Sequence, residues 1–143
     1  MDPNPRSKSV SRSALWTGRV LSGLPALFLL ADAGMKFARP AFVVEATTRL
    51  GYSEAVILPL GAVLMASTLL YLMPPSAVLG AVLLTGYLGG AVATHVFAGH
   101  GAFEIVFPVV FGALLWGGLV LRNARLRSLI LDVDPARAGS TSL

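Results

Sequence analysis

The stretch AVILPLGAVLMASTLLYLMPPSAVLGAVLLTGYLGGAVATHVFAGHGAF at residues 55–103 decides the fold, because it contains no Lys, Arg, Asp or Glu. A membrane-spanning helix needs about 20 mostly apolar residues, so this stretch is long enough for two of them. Its middle holds Met73, Pro74, Pro75 and Ser76, and consecutive prolines interrupt a helix. We therefore predict two spans, at about 54–73 and 76–96, joined by a tight turn.

Two shorter uncharged stretches, at residues 20–31 and 105–121, predict a further span on each side, at about 15–35 and 103–121. The chain is 55% hydrophobic and 13% charged, whereas soluble domains contain about 25% charged residues. The sequence thus predicts an all-α transmembrane four-helix bundle over residues 15–121 and excludes an ordinary soluble or disordered chain. Because there is no cysteine, disulfides and thiol redox chemistry of its own are also excluded.

The distribution of basic residues predicts the orientation of the bundle in a bacterial cytoplasmic (inner) membrane. Lys and Arg are more frequent in the two terminal segments than in the loop after the first span, which holds Lys36, Arg39 and Arg49. Both termini are therefore expected in the cytoplasm. Residues 1–14 are expected to form a flexible basic tail, 122–134 a basic amphipathic helix on the cytoplasmic leaflet, and 135–143 a disordered tail.

The expected partner of the four-helix bundle is the lipid bilayer. The net charge of +4 reflects the bias in basic residues. Nucleic-acid binding is not indicated, because the sequence has no basic patch interleaved with aromatic residues.

The first loop contains an amphipathic segment at residues 40–51. Phe42, Val43, Ala46 and Leu50 would share one side of a helix, and an ion pair between residues 45 and 49 would occupy another side. We predict a short helix across the outer end of the bundle, and an irregular interfacial loop is the alternative.

Small residues recur at helical spacing in two spans, as Gly18, Ser22 and Ala26 in the first and Gly86, Gly90 and Thr94 in the third. Such rows are typical of close helix packing, within one chain or in a homo-oligomer. A substrate path beside a bare glycine face is the alternative for the third span. Trp16, Trp116 and Tyr71 are expected at the inner membrane interface, where aromatic side chains concentrate.

Ionisable residues cluster near the outer end, and such residues beside a membrane span are functional candidates. Asp32 and Lys36 have the spacing of a helical ion pair, and a proton-handling or ligand-anchoring carboxylate is the alternative. His95, His100 and Glu104 do not have the spacing of a known zinc motif, so we predict no metal. A histidine hydrogen-bonded across helices and a general acid–base histidine remain open.

These residues give two sets of site candidates. The acid–base candidates are Asp32, His95 and Glu104. The ligand-binding candidates are Lys36, Thr85, Tyr87 and His100. Tyr87 is expected to find a protein partner for its hydroxyl, and contact with a lipophilic ligand is the alternative.

Several segments resemble the DoxX-like family of small four-helix bacterial membrane proteins: LGYSEA at 50–55, VILPLG at 56–61, YLMP at 71–74, AVLGAVLLTGYLGGAVATH at 77–95 and LWGGL at 115–119. The resemblance covers roughly residues 17–127. It implies a link to membrane redox chemistry, because the wider DoxX group includes subunits of thiosulfate:quinone oxidoreduction and membrane partners of detoxifying redox enzymes.

The resemblance, and not the residue pattern, suggests a quinone or another lipophilic ligand. Many members carry a glutamate in the middle of the second span, whereas LGAVLM at 60–65 has no acid. No cofactor-binding motif is evident in the sequence.

Three functions follow as hypotheses. The first is an accessory or anchoring component linked to membrane redox or stress metabolism. The second is a small membrane enzyme that uses Asp32, His95 and Glu104 for acid–base chemistry on a lipophilic substrate. The third is an oligomeric transporter.

Overall fold

The computed structural model describes residues 12–131, which form an all-helical chain without strands over that range. The helices are α1 (Arg12–Ala38), α2 (Ala41–Arg49), α3 (Ile57–Leu72), α4 (Ala77–Phe97), α5 (Ala102–Arg122) and α6 (Ala124–Leu131). Two 3-10 turns, Glu54–Val56 and Pro74–Ser76, precede α3 and α4. Residues 1–11 of the predicted tail at 1–14, residues 132–134 of the predicted helix at 122–134 and the whole predicted tail at 135–143 lie outside the described residues, whereas residues 12–14 belong to α1.

Four helical segments are long and apolar enough to cross a membrane: Trp16–Ala38, Glu54–Leu72, Pro74–Phe97 and Ala102–Arg122. This confirms the predicted four-helix architecture. The two prolines after Met73 occupy the first positions of a 3-10 turn, where a missing backbone N–H costs little. They therefore separate α3 from α4 without an extended loop.

Each long helix packs against two others. Helix α1 contacts α3 and α5, and α4 also contacts α3 and α5, so that α1 and α4 occupy opposite corners of the bundle. Leu29, Leu64, Leu84 and Leu115 supply one buried side chain from each helix to the shared core. Because α1 and α4 are not direct neighbours, the space between them depends on the size of the side chains that face it.

The helices pack closely at the end of the bundle that carries α6, which we call the α6 end. Gly118 of α5 lies against α1, where an added Cβ would be 2.7 Å from the backbone nitrogen of Ser22. Gly18 lies against Leu121, and Ala26 is buried. The row of small residues in α1 therefore packs against α5, as predicted.

Tyr71 is fully buried at the α6 end, so its predicted place at the membrane interface is wrong. Its hydroxyl donates to the Leu115 carbonyl at 2.7 Å and lies 2.9 Å from Ser22 Oγ. Arg122 donates to the Tyr71 carbonyl at 2.9 Å, and its guanidinium lies 4.7 Å from the ring centroid. The ring enters the core because these partners satisfy its hydroxyl there.

Candidate functional site

Helix α2 lies at the opposite end of the bundle, which we call the α2 end. This confirms the short helix predicted in the first loop. Its Glu45 and Arg49 side chains form an exposed ion pair at 2.6 Å. Phe42, Val43 and Ala46 occupy another side and line a cavity beneath the helix. The apolar side of α2 therefore forms part of the wall of a partly open cavity.

The cavity has a volume of about 640 Å³ and lies between α1, α2, α4 and α5. Ligand sites usually have volumes of about 300–1,000 Å³ and combine apolar walls with a few polar groups. Here the polar lining comes from Asp32, Lys36, Thr47, Tyr52, Tyr87, Thr94 and His95. The size and mixed lining fall within the range of known small-molecule sites.

Gly86 and Gly90 of α4 leave this space open. Both line the cavity, and an added Cβ at either position would meet no atom within 4 Å. The prediction that this row packs against another helix is therefore wrong within the chain. The reason is topological, because this face of α4 borders the cavity rather than a close helix neighbour. The bare glycine face of α4 therefore borders open space in the cavity.

Asp32 and Lys36 form the predicted ion pair on the α1 side of the cavity. Lys36 Nζ lies 2.6 Å from Asp32 Oδ2, and the two side chains are 16% and 31% exposed, respectively. Formation of the pair balances both charges, which lowers the cost of their partial burial. Lys36 has further N–H donors, and Asp32 has a second carboxylate oxygen. The pair can therefore still bond to a ligand.

Tyr87 lines the cavity from α4 and is half-buried. Its hydroxyl makes no hydrogen bond with any other residue that the structure describes, so the predicted protein partner is absent there. Tyr52 and Thr94, which the sequence did not single out for chemistry, share a hydrogen bond of 2.7 Å between their hydroxyls on the same cavity wall. Tyr87 therefore offers the cavity an uncommitted hydroxyl.

His95 lines the cavity near the end of α4, and its Nδ1 lies 2.9 Å from Nδ1 of His100. One of the two nitrogens must carry the hydrogen that they share. The partner lies in the turn that follows α4, where Gly99 has a φ of +68°, and not on another helix. The predicted hydrogen bond across helices is therefore replaced by a local one.

The remaining candidates lie outside the cavity lining. The Thr85 hydroxyl accepts a hydrogen bond of 2.9 Å from Trp116 Nε1. Glu104 is exposed and forms no ion pair with another described residue. The described part of the chain contains no group of three His, Cys, Asp or Glu residues suited to a metal. Only Asp32 and His95, of the acid–base candidates, share the cavity.

An aromatic wall, formed by Phe28, Phe107 and Phe111, lines the cavity between α1 and α5. The ring centroids of Phe107 and Phe111 are 4.5 Å apart, and those of Phe28 and Phe111 are 5.0 Å apart. Sequence analysis missed this wall, although Phe103, Phe107 and Phe111 recur every four residues on one side of α5. The wall suits an apolar or ring-bearing part of a ligand.

Comparison with known protein families gives a match over most of the chain. A model of the DoxX-like family matches residues 20–118, which include all four long helices in whole or in part. Neither the search of curated proteins nor the search of solved structures found a match. The matched range also includes the whole cavity lining.

Proposed function

This chain belongs to the DoxX-like family, and from that premise we propose that it is an accessory component of membrane redox or stress metabolism that holds a lipophilic molecule in its cavity. The family and the four helices that are long and apolar enough to span a membrane support a small multi-pass membrane protein. The proposed role adds a ligand and a partner to that description.

The cavity is the single observation that carries the proposal. Its aromatic wall provides an apolar surface, and Asp32, Lys36 and Tyr87 line the same space. Lys36 and Tyr87 donate to an oxygen on the ligand, whereas Asp32 accepts from a hydroxyl. A quinone is one such ligand, and it is suggested by the DoxX group as a whole.

An accessory role agrees with the composition of the chain. The sequence has no cysteine, so any thiol chemistry or cysteine-ligated iron–sulfur cluster must be supplied by a partner. The middle of the second span also lacks the acid that many DoxX-like members carry there. We therefore assign ligand binding to this chain and electron transfer to a protein partner.

The orientation is part of the proposal. By the positive-inside rule, the α6 end faces the cytoplasm of a bacterium, and the cavity faces the outer side of the inner membrane. Arg125 on α6 is exposed, which supports contact between this helix and anionic lipid headgroups.

A small membrane enzyme is the second candidate, and the shared position of Asp32, His95 and Tyr87 on one cavity favours it. These groups accept and donate protons, as general acid–base catalysis requires. Glu104 has no part in this version, because it lies outside the cavity lining. The enzyme needs Asp32 or His95 for turnover, whereas the accessory protein needs only the binding site.

Native mass spectrometry of the protein, extracted in mild detergent from its own membranes, tests the proposal. We expect one lipophilic molecule of discrete mass per chain, retained after bulk lipid is removed, and a stoichiometric protein partner. The matched comparison is the same protein after extensive delipidation, which should lose bulk lipid first. A protein with heterogeneous membrane lipid alone and no partner would contradict both parts of the proposal.

A further inference from the structure

The permanent charges on the cavity lining cancel. Of the described residues that line it, only Asp32 and Lys36 are a carboxylate and an ammonium, and their side chains are 2.6 Å apart. Arg39 and Glu54 form a separate, exposed pair at 3.2 Å that is not part of the lining. The other ionisable residues among the described residues of the lining are Tyr52, Tyr87 and His95. His95 shares a hydrogen bond with His100.

Charge is costly in such a site unless it is compensated. A ligand with a phosphate, carboxylate or ammonium would bring a charge for which the cavity has no free counter-charge. That ligand would have to compete with Asp32 or Lys36 for its partner. A neutral oxygen-bearing group can instead form hydrogen bonds with the unused donors and acceptor of the ion pair and with the Tyr87 hydroxyl.

We infer that the cavity selects lipophilic molecules whose polar head carries oxygen but no net charge, and that the Asp32–Lys36 pair sets this selectivity. The inference rests on the proposed ligand-binding function and specifies its ligand class. The aromatic wall holds the apolar part of the molecule, while the ion pair and Tyr87 bind the head. Phospholipids with charged heads and lipophilic cations are excluded by the same pair.

The two members of the pair have opposite effects when they are removed singly. Asp32→Asn leaves the Lys36 ammonium without its counter-charge, so the cavity becomes favourable for an anionic head. Lys36→Met leaves the Asp32 carboxylate alone, so the cavity becomes favourable for a cationic head. The reversed pair, Asp32→Lys with Lys36→Asp, keeps both charges balanced at the same helical spacing.

Three probes that share the same farnesyl tail test the charge selectivity of the cavity. They are farnesol, which is uncharged, farnesyl phosphate, which is anionic, and farnesylamine, which is cationic. Binding to the purified full-length protein is measured by titration with native mass spectrometric detection. Comparison of one probe across variants removes differences in how the probes partition into detergent. Size-exclusion chromatography and helical circular dichroism establish that each variant is folded.

For the unaltered protein, we expect farnesol to bind about tenfold more tightly than either charged probe. Relative to farnesol, the affinity for farnesyl phosphate should rise about tenfold in Asp32→Asn, and that for farnesylamine about tenfold in Lys36→Met. The reversed pair should restore the preference for farnesol. Glu45→Gln is the matched control, because it breaks an exposed ion pair outside the cavity lining and should leave all ratios unchanged.

Three results would overturn the inference, and they are distinguishable. Binding of farnesol with ratios that do not change in Asp32→Asn or Lys36→Met would reject the selectivity and leave the ligand site in place. A failure of the unaltered protein to bind any of the three probes would reject the proposed ligand-binding function with it. If the single variants do not fold, loss of the farnesol preference in the folded reversed pair rejects the inference.

Discussion

Replacement of Gly80 by valine is expected to destabilise the bundle strongly. An added Cβ at this position would overlap the backbone nitrogen of Tyr71 and lie 2.7 Å from the carbonyl carbon of Leu70. These are backbone atoms of the adjacent helix, and they cannot move aside as a flexible side chain does. Overpacking usually costs about 1–3 kcal/mol, and we expect about 3 kcal/mol or more here because α3 and α4 must separate.

The matched control is Gly89→Val. Gly89 belongs to the same helix, and its added Cβ would meet no atom within 4 Å. The two variants therefore share the change in helix propensity from glycine to valine, but only Gly80→Val overlaps the backbone of α3. Unfolding by SDS in mixed micelles, followed by circular dichroism, measures both. Equal unfolding midpoints for Gly80→Val and Gly89→Val would show that the contact between α3 and α4 is not as close as described.

Replacement of Gly90 by leucine is expected to weaken ligand binding strongly while the bundle remains folded. The new side chain begins in open space and extends into the cavity that Gly90 lines. It therefore occupies volume that the ligand needs, and we expect an affinity loss of about 100-fold. Leucine is also a better helix former than glycine by up to about 1 kcal/mol, so stability should not fall.

Gly89→Leu is the control for this second prediction. It makes the same change one residue earlier, at an exposed position that does not line the cavity. Farnesol titrations of the two variants and of the unaltered protein measure the effect. Farnesol affinity in Gly90→Leu equal to that in Gly89→Leu would show that the ligand does not occupy this cavity.

The helical architecture could be predicted because the bilayer imposes a strong constraint on sequence. Long uncharged stretches such as residues 55–103 are required for spanning helices, and the pair Pro74–Pro75 fixes the turn between two of them. The Asp32–Lys36 pair and the short helix α2 could be predicted for a similar reason. Both depend on residues three or four apart in one helix, and this spacing is visible without knowledge of the neighbours.

The parts of the site that depend on packing between helices could not be predicted. The row of Gly18 and Ser22 has the same spacing as the row of Gly86 and Gly90, yet the first contacts α5 and the second borders a cavity. The spacing indicates that one face of the helix carries small residues. Only the arrangement of the helices in the bundle decides whether that face meets another helix or a cavity. Tyr71 likewise reaches the core because Ser22 and Leu115, distant in sequence, meet its hydroxyl.

Photolabelling with a diazirine-bearing farnesol, followed by peptide mapping, tests most directly whether the cavity holds a lipophilic molecule. The account predicts labels on cavity-lining segments, within residues 86–95 of α4 and 107–111 of α5, and their loss when excess farnesol competes. Exposed side chains of α3 such as Leu58, Val63 and Leu69 should remain unlabelled above the background set by bulk lipid contact. Labels spread evenly over α3, α4 and α5, and unchanged by excess farnesol, would contradict the account.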